Sequence, residues 1–361
     1  MTPDKPLKIL IGGGAGYIGS ALVPVLLDHG YEVDVMDLLW FGNNLPKEVN
    51  VMQRDLMDCT AKDFEGYDIF IFLAGLSNDP MAEYSPVANF IYNGALPSFL
   101  AYEAKKAGIK KFIYASSCSV YGYTVDELYD ENAPATCEYP YGIGKLQGEK
   151  GVLQLQDENF STIALRQGTV SGFSPRMRMD LVVNAMFKSA MTNKCITANN
   201  ASIWRPILSI NDAITAYLRS IQANPSISGI FNVSSGNYTV GQIGDIVKDN
   251  TEKLTGQHID MEIKSIEDFR NYKVKTDKAR TYLGFQPRHS VDSIVDDLYK
   301  NLDSFGNFEN ENFYNIKVFQ KLQLGNLDIE SISAERRNQG LKKPHLEESS
   351  TTFQEDKPTV N

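Results

Sequence analysis

The chain has 361 residues, 42% hydrophobic and 22% charged, with a formal net charge of −10. That balance is ordinary for a globular protein, and the length suggests two domains, or one large domain with a smaller one attached. The acidic surplus speaks against general nucleic-acid or anionic-membrane binding, while leaving room for a local basic pocket facing an anionic small molecule.

The first half alternates apolar runs with helical patterns. "KILI" (8–11) reads as a strand and "SALVPVLLDHG" (20–30) as a helix stopped by Gly30. "YEVDVMDL" (31–38) and "YDIFIFLAG" (67–75) read as strands, and "PSFLAYEAKKAG" (97–108) as a helix with Gly108 as its stop. "KKFIYASS" (110–117) is a strand, "YGIGKLQGEKGVLQLQ" (141–156) a helix, and "STIALRQG" (161–168) a strand. Such alternation implies βαβ units and a parallel sheet, doubly wound by right-handed crossovers.

Beyond residue 169 the order weakens. A helical pattern ends near 191, "SGIFNVSS" (228–235) is a strand able to rejoin the sheet, and 239–256 is a helix. The expected organisation is a dinucleotide-binding Rossmann domain over 1–168, with 205–236 returning to it. A smaller mixed α/β substrate domain takes 169–204 and 237–311. A polar tail follows over 312–361, with 343–361 expected to be disordered.

Four cysteines without a C-x-x-C pair argue against a disulfide framework and for a reducing cytoplasm. Four scattered histidines leave no reason to expect a metal. The N-terminus lacks the apolar core of a signal peptide, and the run from Ile69 is too short to span a bilayer.

Chemistry gathers at two places. Gly13, Gly14, Gly16 and Gly19 lie between a predicted strand and a predicted helix, and Gly14-Ala15-Gly16-Tyr17-Ile18-Gly19 fits G-x-G-x-x-G. Glycines allow the tight turn and the close approach of a pyrophosphate, and the helix N-terminus supplies positive potential. Asp37 ends the next strand, where an acid accepts from adenosine ribose hydroxyls and repels a 2′-phosphate, so NAD is expected over NADP. Further on, Tyr141 and Lys145 stand one helical turn apart, after "ASSCSVYG" (115–122) at a strand end. Alone, a Tyr/Lys pair at this spacing is commonplace. Beside a dinucleotide loop it offers a phenol whose phenolate a nearby amine stabilises. Gly142 and Gly144 between them are poor helix formers, which suggests close packing against that helix.

Together these motifs resemble the extended short-chain dehydrogenase/reductase family, in its NAD-dependent nucleotide-sugar epimerase/dehydratase branch with the UDP-glucose 4-epimerase-like enzymes. The resemblance covers roughly 7–300. Gly13, Gly16 and Gly19 match the family loop, with Gly12 in place of its threonine. Tyr141 and Lys145 match Y-x-x-x-K, and Ser117, ahead of Val120-Tyr121-Gly122, takes the catalytic Ser/Thr position. The resemblance also implies cofactor contacts at Tyr17, Ile18, Asp55, Leu56, Leu73, Ala74, Gly75, Asn93 and Lys145. It implies phosphate arginines at Arg205 and Arg270. Where family epimerases read L-R-Y-x-N, this chain has Gln167 and Thr169, followed by Arg176 and Arg178. Thr169 and the two arginines are therefore candidates for an altered phosphate or sugar site.

By this resemblance Tyr141 takes the proton of the sugar 4-hydroxyl, Ser117 hydrogen-bonds that oxygen, and a 4-keto sugar forms. Cys118 and Ser119 replace the acids that family dehydratases and decarboxylases carry after the catalytic Ser/Thr, which disfavours those outcomes. Epimerisation at C4 leads. Net C4 oxidation or keto-sugar reduction is the alternative, and a catalytically idle NAD-binding regulator is the remote one. Cys118 as an acid/base thiol is set against a small buried residue, which is the expectation. The partners implied are a nucleotide-diphosphate sugar and a second copy of the chain, paired through helices 97–108 and 141–156.

Overall fold

Short β-branched and aromatic runs build a seven-stranded parallel sheet in the computed structural model, which describes residues 6–266, 270–305 and 307–322. The strands are β1 (Lys8–Gly12), β2 (Glu32–Asp37), β3 (Asn50–Gln53), β4 (Ile69–Phe72), β5 (Lys111–Ser117), β6 (Ser161–Gln167) and β7 (Gly229–Val233). Their order is β7-β6-β5-β4-β1-β2-β3. Every residue of β4, β5 and β6 is buried, as expected of central parallel strands covered on both faces. The strand order reverses between β1 and β4, so a crevice opens beyond the carboxyl ends of these strands. This is the doubly wound Rossmann sheet that the alternation of elements predicts.

Three helices frame that crevice: α1 (Tyr17–Asp28), α2 (Pro140–Leu153) and α3 (Asn315–Lys321). Smaller sheets stand beyond β6 and β7. Thr169–Ser171, Trp204–Ser209 and Gly236–Thr239 form one of three strands. Tyr123–Tyr129 pairs with Asn271–Val274, and Cys195–Asn199 with Asp260–Lys264. The 228–235 run does rejoin the main sheet as β7. Trp204–Ser209, inside the segment expected to return to it, pairs in the small sheet instead.

Among the elements that escape the sequence reading, two bear on the main sheet and the crevice. β3 is four residues long and partly exposed, so it carries neither a strong apolar run nor clean alternation. Helix α3 lies in what reads as the start of a polar tail. Its Val318 and Phe319 are buried. The stretch 343–361, expected to be disordered, lies outside the described residues.

The glycines of α2 pack against protein. A Cβ on Gly148 would run into the Asn93 carbonyl oxygen and come within 2.7 Å of the Tyr114 hydroxyl. One on Gly144 would meet the Asn89 amide at 3.0 Å. These glycines let the 86–95 segment lie directly on α2, while Gly142 makes room for Cys137.

Candidate active site

The crevice is one cavity lined from β2 to the small sheet. It collects Gly13, Gly16, Tyr17, Ile18 and Gly19 from the glycine loop and α1, and Asp37, Asp55, Leu56, Leu73, Ala74 and Gly75 from the strand ends. Ser117, Tyr141, Lys145, Thr169, Arg176, Arg178, Arg205 and Arg270 line it too. Asn93 does not. It is fully buried behind the wall and donates to the Leu76 carbonyl at 2.8 Å, bracing the turn that carries Gly75. Asn93 thus supports the cofactor wall and makes no surface of it.

At one end, Gly13 adopts φ +80° and has no space for a side chain, since a Cβ would stand 2.5 Å from the Ala74 nitrogen. The loop therefore brings bare backbone to the cavity at the N-terminus of α1. Asp37 fixes this loop by accepting from Ala15 N (3.0 Å) and Leu39 N (2.8 Å). Burial raises its carboxyl above the ordinary range, which those bonds partly oppose. Asp55 accepts from Met57 N at 2.9 Å beside it.

At the other end stand Ser117, Tyr141 and Lys145. β5 delivers Ser117 at its last residue, and α2 presents the tyrosine and lysine on one face. Burial drives the Tyr141 phenol far above its usual range, and the Asp79 charge pushes it further. A hydrogen bond with Ser117 and the Arg178 guanidinium pull it back. Lys145 is 5% exposed, donates to the Ala115 carbonyl at 3.0 Å, and is lowered by burial to about 7.

Sequence reasoning missed several neighbours. Asp79 pairs with Arg270, and Asp180 takes both arms of Arg178, at 2.8 and 3.0 Å. Asn78 donates to Asp180 at 3.1 Å. Tyr272 reaches Ser119 at 3.3 Å and lies under Arg205. The "SNDP" turn after β4 carries a helix-start signature, with Asn78 as the N-cap that accepts from Met81 N. That signature could have placed Asp79 at the strand end. Cys118 lies outside the cavity, donates to the Arg166 carbonyl at 3.1 Å, and has its thiol pushed up by burial. It is a small buried residue. Beneath the site, Glu149 of α2 holds Arg166 of β6 (2.6 and 2.9 Å) and Ser116 of β5 (2.7 Å).

No cluster of metal ligands occurs among the described residues. A dinucleotide does fit: bare loop backbone, a helix N-terminus, an acid after β2 and a Tyr/Lys pair line one continuous cleft.

This fold and cleft are those of a dinucleotide-binding Rossmann enzyme. The chain belongs to the NAD dependent epimerase/dehydratase family, whose model matches residues 9–234. Its cofactor is NAD. Among curated relatives, a UDP-glucose 4-epimerase of Corynebacterium glutamicum is 23% identical over 329 residues, covering 83% of this chain and 97% of that protein. Among solved structures, MoeE5 in complex with UDP-glucose and NAD superposes with a TM-score of 0.73 at 23% identity, over 83% of this chain and all of that one. TunA, an NAD dependent NDP-hexosamine 5,6-dehydratase, matches equally well in shape (TM-score 0.73) at 20% identity, over 82% of this chain and 98% of its own. Shape alone thus leaves the reaction open.

Proposed function

We propose that the protein is a nucleotide-sugar 4-epimerase that works through a transient 4-keto sugar, with Tyr141 as base. The observation that carries this reading is the convergence of Ser117, Tyr141 and Lys145 at a place where each nearby carboxylate is engaged by an arginine. Tyr141 removes the proton from the sugar 4-hydroxyl, and Ser117 hydrogen-bonds that oxygen. Lys145 and Arg178 stabilise the phenolate. NAD held along this cleft would supply the acceptor and donor of the C4 hydride. The ketone turns over between loss and return of that hydride, so that return falls on the opposite face. Arg205 and Arg270, framing Tyr272, are the candidates for the substrate diphosphate, with Thr169 and Arg178 nearer the sugar.

Dehydration needs a free acid to expel water. Asp79 and Asp180 are held by Arg270 and Arg178, and positions 118 and 119 carry a thiol and a hydroxyl. This supports epimerisation over elimination. The names of the relatives make UDP-hexoses the first substrates to try. A homodimer is part of the proposal. Phe99, Tyr102 and Ile143 are exposed on the two helices expected to pair. The four cysteines are free thiols, which suits a reducing compartment.

The test is isotopic. UDP-glucose deuterated at C4 should give an epimer that keeps the label at C4. Loss of the label to a free reduced cofactor would point to net oxidation instead.

A further inference from the structure

Arg176 is 3% exposed yet lines the cavity, and it has no ion pair among the described residues. Its Nε is buried without a hydrogen-bond partner. Its neighbour Arg178 is satisfied by Asp180, so the two arginines differ in what they lack.

The position of Arg176 is fixed from two sides. Its backbone N donates to Ser20 Oγ of α1 at 3.1 Å, and Ser174 Oγ donates to the Tyr17 carbonyl at 2.7 Å, so the segment is fastened to the first turn of that helix. The guanidinium lies 3.7 Å from the centre of the Phe41 ring and donates to Asn315 of α3. Asn315 in turn donates to Ser77 at 2.6 Å. Phe319 of α3 packs on Trp40 (6.0 Å) and Tyr84 (5.8 Å), so α3 bridges the loops that follow β2 and β4.

A dinucleotide reaching from Asp37 to Tyr141 must set its pyrophosphate at the N-terminus of α1. Arg176 stands there, electrostatically coupled to Asp37 on one side and Arg178 on the other. A buried guanidinium with an unused donor is costly unless an anion takes it up, and guanidinium matches phosphate oxygens well. We propose that Arg176, positioned by Asn315, binds the cofactor pyrophosphate and that α3 closes the cleft over it. Sequence reasoning grouped Arg176 with the substrate site, and the geometry reassigns it to the cofactor. The proposal rests on the NAD assignment and not on the epimerase reading.

The test is calorimetric titration of cofactor-depleted protein with ADP-ribose, adenosine and UDP. Arg176→Met should weaken ADP-ribose on the order of 10–100-fold, the span of a lost charged hydrogen bond. Adenosine, which has no phosphate, and UDP, which reports the substrate site, should bind as before. Arg176→Lys should fall between, because it keeps the charge and loses the fork. Asn315→Ala should show the same ligand selectivity with a smaller loss. Weaker UDP with unchanged ADP-ribose would return Arg176 to the substrate and overturn the proposal. Unchanged binding of all three would overturn it as well. If Arg176→Met does not fold, Asn315→Ala decides by the same criteria.

Discussion

Lys145 Nζ lies 5.9 Å from the centre of the Tyr141 ring, and its own hydrogen bond goes to the Ala115 carbonyl. The amine is therefore held beside the phenol by backbone, with no carboxylate paired to it among the described residues. Burial lowers it to about 7 from the ordinary 10.5. Between those values the unfolded chain holds a proton that the folded chain has released. Stability of the cofactor-free protein should thus rise with pH from about 7 upward, at no more than about 1.4 kcal/mol per unit. Lys145→Met should remove that component, as read by denaturant unfolding of both proteins between pH 6.5 and 9.

Tyr141 is tuned from opposite sides by Asp79 and Arg178. Removing the negative charge with Asp79→Asn should move the acidic limb of the kcat/KM profile to lower pH. Arg178→Gln should move it to higher pH. The pH–rate profiles of the two variants check the signs.

Tyr141→Phe deletes the base and leaves the shape of α2 intact. Turnover should fall by about 10²–10⁴-fold, the range for a lost general acid–base group. NAD should remain bound, which absorbance of the purified protein measures.

Glu149 and Arg166 form a buried pair that joins α2, β5 and β6 beneath the site. Removing one partner strands the other, so Glu149→Ala should cost about 3–5 kcal/mol. Thermal unfolding of the variant measures it.

Gly148→Ala sets two effects against each other. Alanine favours a helix by about 1 kcal/mol, but here its Cβ would run into the Asn93 carbonyl oxygen. Backbone cannot move as a flexible side chain can, so the clash should win and the variant should melt below wild type.

Apart from β3 and the Tyr123–Tyr129 strand, the strands up to residue 168 were legible because central parallel strands are long apolar runs and glycines punctuate them. The glycine loop, Tyr141 and Lys145 were legible because their chemistry depends on short local spacing, and Ser117 was reached through the family resemblance carried by its place before Val120-Tyr121-Gly122. Asp79 and Tyr272 were not, because each meets its arginine or serine across a long stretch of chain, and Asp180, though only two residues from Arg178, is tied to the loop after β4 by Asn78. Asn315 was hidden for a related reason. Its apolar neighbours Phe313, Ile316, Val318 and Phe319 form too short and interrupted a run to mark a cleft element, and only the packing of Phe319 on Trp40 and Tyr84 makes that stretch part of the cleft.

The most direct test of the central claim is proton NMR of the anomeric signals of UDP-hexoses incubated with the NAD-loaded protein. A new anomeric doublet with no accumulation of NADH is the predicted result. A keto or hydrated-keto product matched by NADH would contradict it.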